Sequence, residues 1–171
     1  MTRLESISLE AIQNARRRIA DLAIRTPLVR LNLELPDTEV YLKLENLQPI
    51  GSFKLRGAAN AIRNATPVQL SKGVYTASAG NMAQGVAYVA RAMGIKCSVI
   101  VPEQAPRAKL DAIERLGGAI IKVSFDEWWQ TMLEHGRDGM DGFFVHPFGQ
   151  ADVVAGNGTI GLEIVEDLPE V

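Results

Sequence analysis

Two stretches hold residue types that can do chemistry together. One is Gly51-Ser52-Phe53-Lys54-Leu55-Arg56-Gly57, the other Ser78-Ala79-Gly80-Asn81-Met82-Ala83-Gln84-Gly85. Each puts small or polar residues where a loop should turn into a helix, and helix starts leave backbone N–H groups free to hold an anion. With Ser52 as N-cap, Lys54 falls in a first turn, where roughly half a positive charge is concentrated. A cation is disfavoured there, so the amine pKa should fall, and partial burial would lower it further. A lysine of that kind is a nucleophile able to form a Schiff base. Acidic residues are the usual occupants of a first turn, and a lysine breaking that rule is the sort of departure found at functional sites. The competing reading is an ordinary solvated lysine. In the second stretch, Ser78, Ala79 and Gly80 let a ligand approach the backbone closely. The helix start after them is a seat for a carboxylate or phosphate. Asn81 stands in an N-cap position, where its amide either caps the helix or bonds a ligand; spacing alone favours neither.

The elements that must position these residues can be read along the chain. Ser8 caps a helix running to about Ala23, with Leu9, Ile12, Ile19 and Leu22 as its apolar stripe and Arg16-Arg17-Arg18 as a solvated face. Thr26-Pro27 stops it. Val40 to Leu44 reads as a short strand, Gln48 to Gly51 as a turn, and Ser52 as the cap of a helix that runs to about Asn64. Strand 74–77 then leads to helix 81–93, closed by Gly94. Strand 96–101 leads to helix 106–116, with Pro106 in its first turn and Gly117-Gly118 at its end. Strand 119–123 leads to a helix opened by the capping-box pattern Ser124 to Glu127, and 142–145 is a further strand. Val- and Ile-rich strands alternating with helices imply an α/β fold, a parallel sheet with flanking helices. Ligands bind such sheets beyond the carboxyl ends of the strands, so the loop after strand 74–77 falls on the ligand side.

Bulk properties exclude several classes. The 171 residues are 47% hydrophobic and 22% charged with a net charge of −2, the profile of a soluble globular chain with no reason to seek nucleic acid or an anionic membrane. No apolar run approaches the ~18 residues of a membrane span, and Met1 to Glu10 has no apolar core of a secretory signal. A single cysteine, Cys97, leaves no internal disulfide and fits a reducing cytosol; within its apolar run it reads as a small buried hydrophobe. His135 and His146 have no partner at metal-ligand spacing, so no metal site is assigned. Ser52, Ser78 and Ser124 lack the arrangement of a hydrolase triad. Trp128-Trp129 lies on an amphipathic helix and reads as packing. Gly156-x-Gly158-x-x-Gly161 matches a dinucleotide fingerprint, but that motif needs an acid about 20 residues further on. With Asp152 as N-cap, these glycines fall inside a helix and serve close packing.

Taken together, Gly51 to Ala58 and Thr76 to Gly85 resemble the pyridoxal-phosphate-dependent threonine/serine dehydratases, which group with serine racemase and the tryptophan synthase β-like enzymes of fold type II. Thr26-Pro27-Leu28, Val101-Pro102, Lys109 and Gly158-Thr159-Ile160-Gly161-Leu162-Glu163-Ile164 support it, in order, from about residue 8 onward. The resemblance implies pyridoxal 5′-phosphate as cofactor, held by Lys54 as a Schiff base, with Phe53 beside it and Asn81 bonding its phenolic oxygen. The loop Ser78, Ala79, Gly80, Asn81 and Met82 would hold the substrate carboxylate. Lys54, once freed, would remove the α-proton of a 3-hydroxy amino acid, whose β-elimination of water ends in a 2-oxo acid and ammonia. Racemases of this group carry a serine at the place of Ala79, so alanine favours elimination. Met82 stands where dehydratases usually have histidine, and Asn157 where they have glutamine. The family's catalytic unit is about twice this long, and its glycine-rich phosphate loop lies in the part beyond this sequence. The expected division is therefore 1–49 with the larger domain, 50–147 as the small domain, and 148–171 as the truncated return into the larger one. On that view the N-terminal helix and strand 40–44 would lack packing partners. The complete enzyme is expected to be a cytoplasmic homodimer acting on a small amino acid. The alternatives are a catalytically incomplete fragment and a racemase-like enzyme.

Overall fold

A computed structural model describes residues 6–171. Ser8 caps α1 (Leu9–Ile19) by accepting a hydrogen bond from the Ala11 N–H at 3.1 Å. An antiparallel pair comes next, β1 (Leu28–Arg30) against β2 (Tyr41–Lys43), with Leu28 opposite Lys43. After a 3₁₀ turn at Glu45–Leu47 come α2 (Lys54–Asn64) and a short α3 (Pro67–Leu70). The remainder alternates: β3 (Val74–Ala77), α4 (Asn81–Met93), β4 (Cys97–Pro102), α5 (Arg107–Arg115), β5 (Ala119–Val123), α6 (Phe125–Leu133) and β6 (Phe143–Phe144), closing with α7 (Ala151–Asp167).

The four later strands form one parallel sheet in the order β5-β4-β3-β6. Val74 pairs with both Cys97 and Phe143, which places β3 between β4 and β6. Side chains alternate across this sheet as a strand period of two demands. Val74, Cys97, Val99 and Val101 point to one face, where Leu55, Ala58, Ile62, Val86, Val89, Leu110 and Ile113 form the main core. Tyr75, Ala77, Ile100 and Val123 point to the other, against Met132 of α6. The expected α/β sheet with flanking helices is therefore present. Gly94 closes α4 in the left-handed region at φ 67°, a conformation costly for any residue with a Cβ. Cys97 is buried as expected, and burial pushes its thiol up to about 12.

Several local expectations shift. Phe53, not Ser52, is the residue before α2, and Gln150, not Asp152, precedes α7. Pro106 lies just outside α5, its extended backbone leading into the helix. The glycines of 156–161 do sit inside a helix. A Cβ on Gly156 would fall 2.4 Å from the Arg56 carbonyl oxygen, and one on Gly57 would fall 2.9 Å from the carbonyl oxygen of Val153. Helices α2 and α7 thus touch backbone to backbone. The expectation that the N-terminal helix lacks a partner is corrected: Ala15 and Ile19 of α1 are buried, because α1 packs on both α7 and α2. For the hairpin the expectation stands, with Val29 44% and Leu42 43% exposed.

A buried ionic cluster joins these pieces. Arg56, 2% exposed, donates through Nε and Nη2 to Glu45 (2.9 and 2.8 Å) and through Nη1 and Nη2 to Glu163 (2.6 and 2.9 Å). Nη1 also donates to Thr159 Oγ1, and Nη2 to the Ile24 carbonyl. Lys43 completes the balance, 2.7 Å from Glu163. Burial works to raise the Glu45 pKa, but the hydrogen bonds from Arg56 and Thr26 win and hold it below the ordinary value.

Removing the cation leaves the part-buried Glu45 without its cationic partner and Glu163 with Lys43 alone. Arg56→Met should therefore cost about 3–5 kcal/mol, read from urea unfolding followed by circular dichroism; a loss below about 1 kcal/mol would contradict the cluster's structural role. The helical glycines should split by sign in the same assay. Gly156→Ala should lose about 1–3 kcal/mol through overpacking. Gly161→Ala, whose Cβ meets nothing within 4 Å, should gain about 0.4–1 kcal/mol.

Candidate active site

Lys54 is positioned by the turn before it. Gly51, at φ 69°, donates its N–H to the Gln48 carbonyl at 2.7 Å, and the buried Gln48 amide clamps Ile24 through N–H and carbonyl together. The Ser52 hydroxyl accepts from the Lys54 N–H at 3.3 Å, so the serine still serves the helix start although the helix begins later than expected. Lys54 is the first helical residue. Its side chain is half-buried, its Nζ lies 5.2 Å from the centre of the exposed Phe53 ring, and it donates to the Pro147 carbonyl at 2.9 Å. Burial pushes the amine below the usual lysine value. The helix start acts in the same direction.

The second loop leaves β3 at Ala77. Ser78 donates its N–H to the Ile100 carbonyl, and its hydroxyl accepts from the Gly80 N–H at 3.2 Å, which tightens the turn. Gly80, not Asn81, is the residue before α4. Asn81 is the first helical residue and is exposed, so its amide is not used as the cap. The first amide within α4 to find a carbonyl is that of Gln84, on Gly80 at 3.2 Å. The N–H groups of Asn81, Met82 and Ala83 therefore point out of the helix start without an intrahelical partner. The Met82 side chain lies in the main core at 2% exposure, so only its N–H faces the open end. Ala79 packs against the edge of that core.

Gly85 brings the two stretches together. A Cβ there would lie 3.3 Å from the Lys54 carbonyl oxygen and 3.2 Å from Ala58 Cβ, so α2 and α4 cross in close contact one turn from their starts. Two helix N-termini therefore lie side by side, and both favour an anionic ligand. The third wall continues from β6, tied to β3 by the Thr76 hydroxyl, which donates to the Val145 carbonyl at 2.7 Å. Pro147, on that segment, was not singled out from sequence as the partner of the amine. The rule that selected the loop after strand 74–77 also covers the end of strand 142–145, so a signal was available. The site thus occupies the carboxyl ends of β3 and β6. The same stretch brings His135 and His146 together, with ring centroids 4.3 Å apart. No group of three or more metal-ligating side chains occurs among the described residues, and no helix among them is long and apolar enough to cross a membrane.

A parallel α/β sheet with a half-buried lysine at its carboxyl edge and an open helix start beside it defines a class of small-molecule-binding enzyme fold. The chain belongs to the pyridoxal-phosphate dependent enzyme family, whose model matches residues 19–171. It is 43% identical over 169 residues to the L-threonine ammonia-lyase of Thermotoga maritima, covering 96% of this chain and 42% of that relative. Among solved structures, the serine racemase of Dictyostelium discoideum superposes with a TM-score of 0.87 at 37% identity, over 96% of this chain and 55% of that one. The processed threonine deaminase isoform 2 of Solanum lycopersicum superposes with a TM-score of 0.78 at 34% identity, over 96% and 50%. The neighbours share the fold of this family, fold type II, and the chain spans about half the length of the proteins it matches.

The environment of Lys54 can be tested without any ligand. In peptide-resolved acylation across pH, Lys54 should reach half its maximal rate at a lower pH than the exposed Lys72, Lys96 and Lys122. A shared midpoint would contradict a burial-depressed amine.

Proposed function

We propose that this chain is the cofactor- and substrate-binding half of a threonine/serine dehydratase, an ammonia-lyase that eliminates water from a 3-hydroxy amino acid. The observation that carries the proposal is the Lys54 amine, half-buried and pKa-depressed at the carboxyl ends of β3 and β6. Depressed pKa, a flanking aromatic face and adjacent free N–H donors fit the aldehyde end and ring of pyridoxal phosphate. Lys54 would hold the cofactor through its amine. Phe53 would flank the cofactor ring, and the exposed Asn81 amide would donate to its phenolic oxygen. When bound, the cofactor supplies an electron sink for the charge that develops at the substrate α-carbon.

The chain's own residues account for binding and proton transfer. The loop Ser78, Ala79, Gly80, Asn81 and Met82 holds the substrate carboxylate, with the first-turn N–H groups as donors. Met82 contributes its backbone alone, because its side chain is in the core. Lys54 takes the α-proton as a general base, for which a lowered pKa suits an amine working near neutrality. Ala79 has no proton to offer on the other side of the substrate, which supports elimination over the racemisation named for some structural neighbours. The L-threonine ammonia-lyase and threonine deaminase relatives support the same reaction class. We assign residues 1–49 and 148–171 to a larger domain and 50–147 to the small one. The exposed apolar face of the β1–β2 hairpin supports burial against further structure in the complete enzyme, which we place in the cytoplasm as a homodimer.

Mixing the chain with pyridoxal phosphate should give a visible band, and borohydride trapping should mark Lys54. A band that survives in Lys54→Ala would refute the assignment, and no band at all would favour the incomplete-fragment reading. In the complete enzyme, Lys54→Ala should slow turnover of L-threonine or L-serine by about 10²–10⁴-fold. Pyruvate should be the product from L-serine; D-serine as main product would overturn the role given to Ala79.

A further inference from the structure

His146 is buried at 4% exposure just beyond β6, with the Phe148 ring packed edge-on at 4.6 Å and the Phe144 ring at 6.0 Å. Its Nδ1 accepts two backbone N–H groups, from Phe148 at 3.2 Å and Gly149 at 2.7 Å. An acceptor of two N–H bonds carries no proton, so the ring is neutral with its hydrogen on Nε2. The turn wraps the imidazole so closely that a Cβ on Gly149 would sit 3.0 Å from Cε1. On the other side, the His146 N–H donates to Gln150 Oε1 at 3.3 Å. Pro147 lies inside this closed loop. Its ring fixes φ, and Nδ1 holds the amides of the next two residues, so the direction of the Pro147 carbonyl is determined by His146. That carbonyl accepts the Lys54 amine.

We propose that His146 is a positioning residue for Lys54, acting through the turn 147–149 whose carbonyl it aims at the amine. An amine that must attach to a ligand, leave it and take a proton needs a defined resting place, and Pro147 supplies one on the protein side of the site. The titratable groups facing the imidazole are His135, stacked on it from the end of α6, and Lys54 from α2. Burial first, then His135, push the His146 pKa below its usual value, and Lys54 adds to this, whereas the Met132 backbone opposes it. These influences keep Nδ1 available as an acceptor at neutral pH. The inference rests on the role proposed above for Lys54, but its test uses the chain without cofactor, so the two can fail separately.

The test is the pH profile of Lys54 acylation in His146→Leu and His146→Asn. Leucine fills similar space without an acceptor, whereas the asparagine oxygen can replace Nδ1. In His146→Leu the released amine should turn to solvent and its midpoint should rise by about one pH unit, a tenfold change in the amine's ionisation constant. His146→Asn should keep the original midpoint. An unchanged midpoint in folded His146→Leu, or an equal rise in His146→Asn, would overturn the proposal. If His146→Leu does not fold, nitrogen NMR of the unaltered chain decides. Protonated Nε2 with bare Nδ1 supports the proposal, and a proton on Nδ1 at neutral pH defeats it.

Discussion

The Arg56 guanidinium holds together segments far apart in sequence. All of its nitrogens face acceptors, drawn from the segment before β1, the 3₁₀ turn and α7. Burying these charges carries a desolvation cost, so the cluster is poor evidence of stability for its own sake. Its value is directional. A planar fork bonded to two carboxylates fixes the rotation of α2 about its axis. Arg56 and Lys54 are two residues apart, about 200° around a helix. Anchoring Arg56 toward α7 therefore turns Lys54 toward the ends of β3 and β6.

Close backbone approach does the rest of the positioning. Gly57 and Gly156 let α2 and α7 meet without side chains between them, and Gly85 lets α4 cross α2 one turn from both starts. A methyl group at any of these positions would separate elements whose separation determines the site. The first-turn amides of α4, free of intrahelical partners, offer donors for an anion without any charged side chain. The amine, the free amides and the Pro147 carbonyl come from three elements, each held by contacts outside the site.

Much of this was legible in the residue pattern. Alternating Val- and Ile-rich runs with helices announced a parallel sheet, and the rule for ligand placement pointed to the end of β3 beside which Lys54 lies. The lysine stood out because it broke a helix-start preference. Helix boundaries were less legible: Ser52 and Asn81 look like caps, yet each lies one position from the place expected. For Asn81 the reason is that capping is decided by backbone dihedrals, and Gly80 adopts the non-helical flanking conformation; Phe53 is already helical in φ and ψ, and Ser52 behind it still accepts from the Lys54 N–H. The resemblance places Met82 in the substrate loop, at the position of a dehydratase histidine, but helix geometry carries its side chain into the core and leaves the N–H behind.

By itself, the sequence determined the fold class, the approximate places of the two helix starts, and the packing role of Gly156 and Gly158, though not of Gly161, where a Cβ would meet nothing within 4 Å. These depend on local periodicity and on residue type, which neighbours in the chain reveal. Only the tertiary structure decided what meets what. Arg56 finding Glu45 and Glu163, α7 covering α1, and His146 holding the turn that receives Lys54 are all contacts that cross from one element to another. Such contacts have no period and no spacing rule. They are selected by shape, by the requirement that every buried charge be paired, and by the few ways that helices can pack across a glycine.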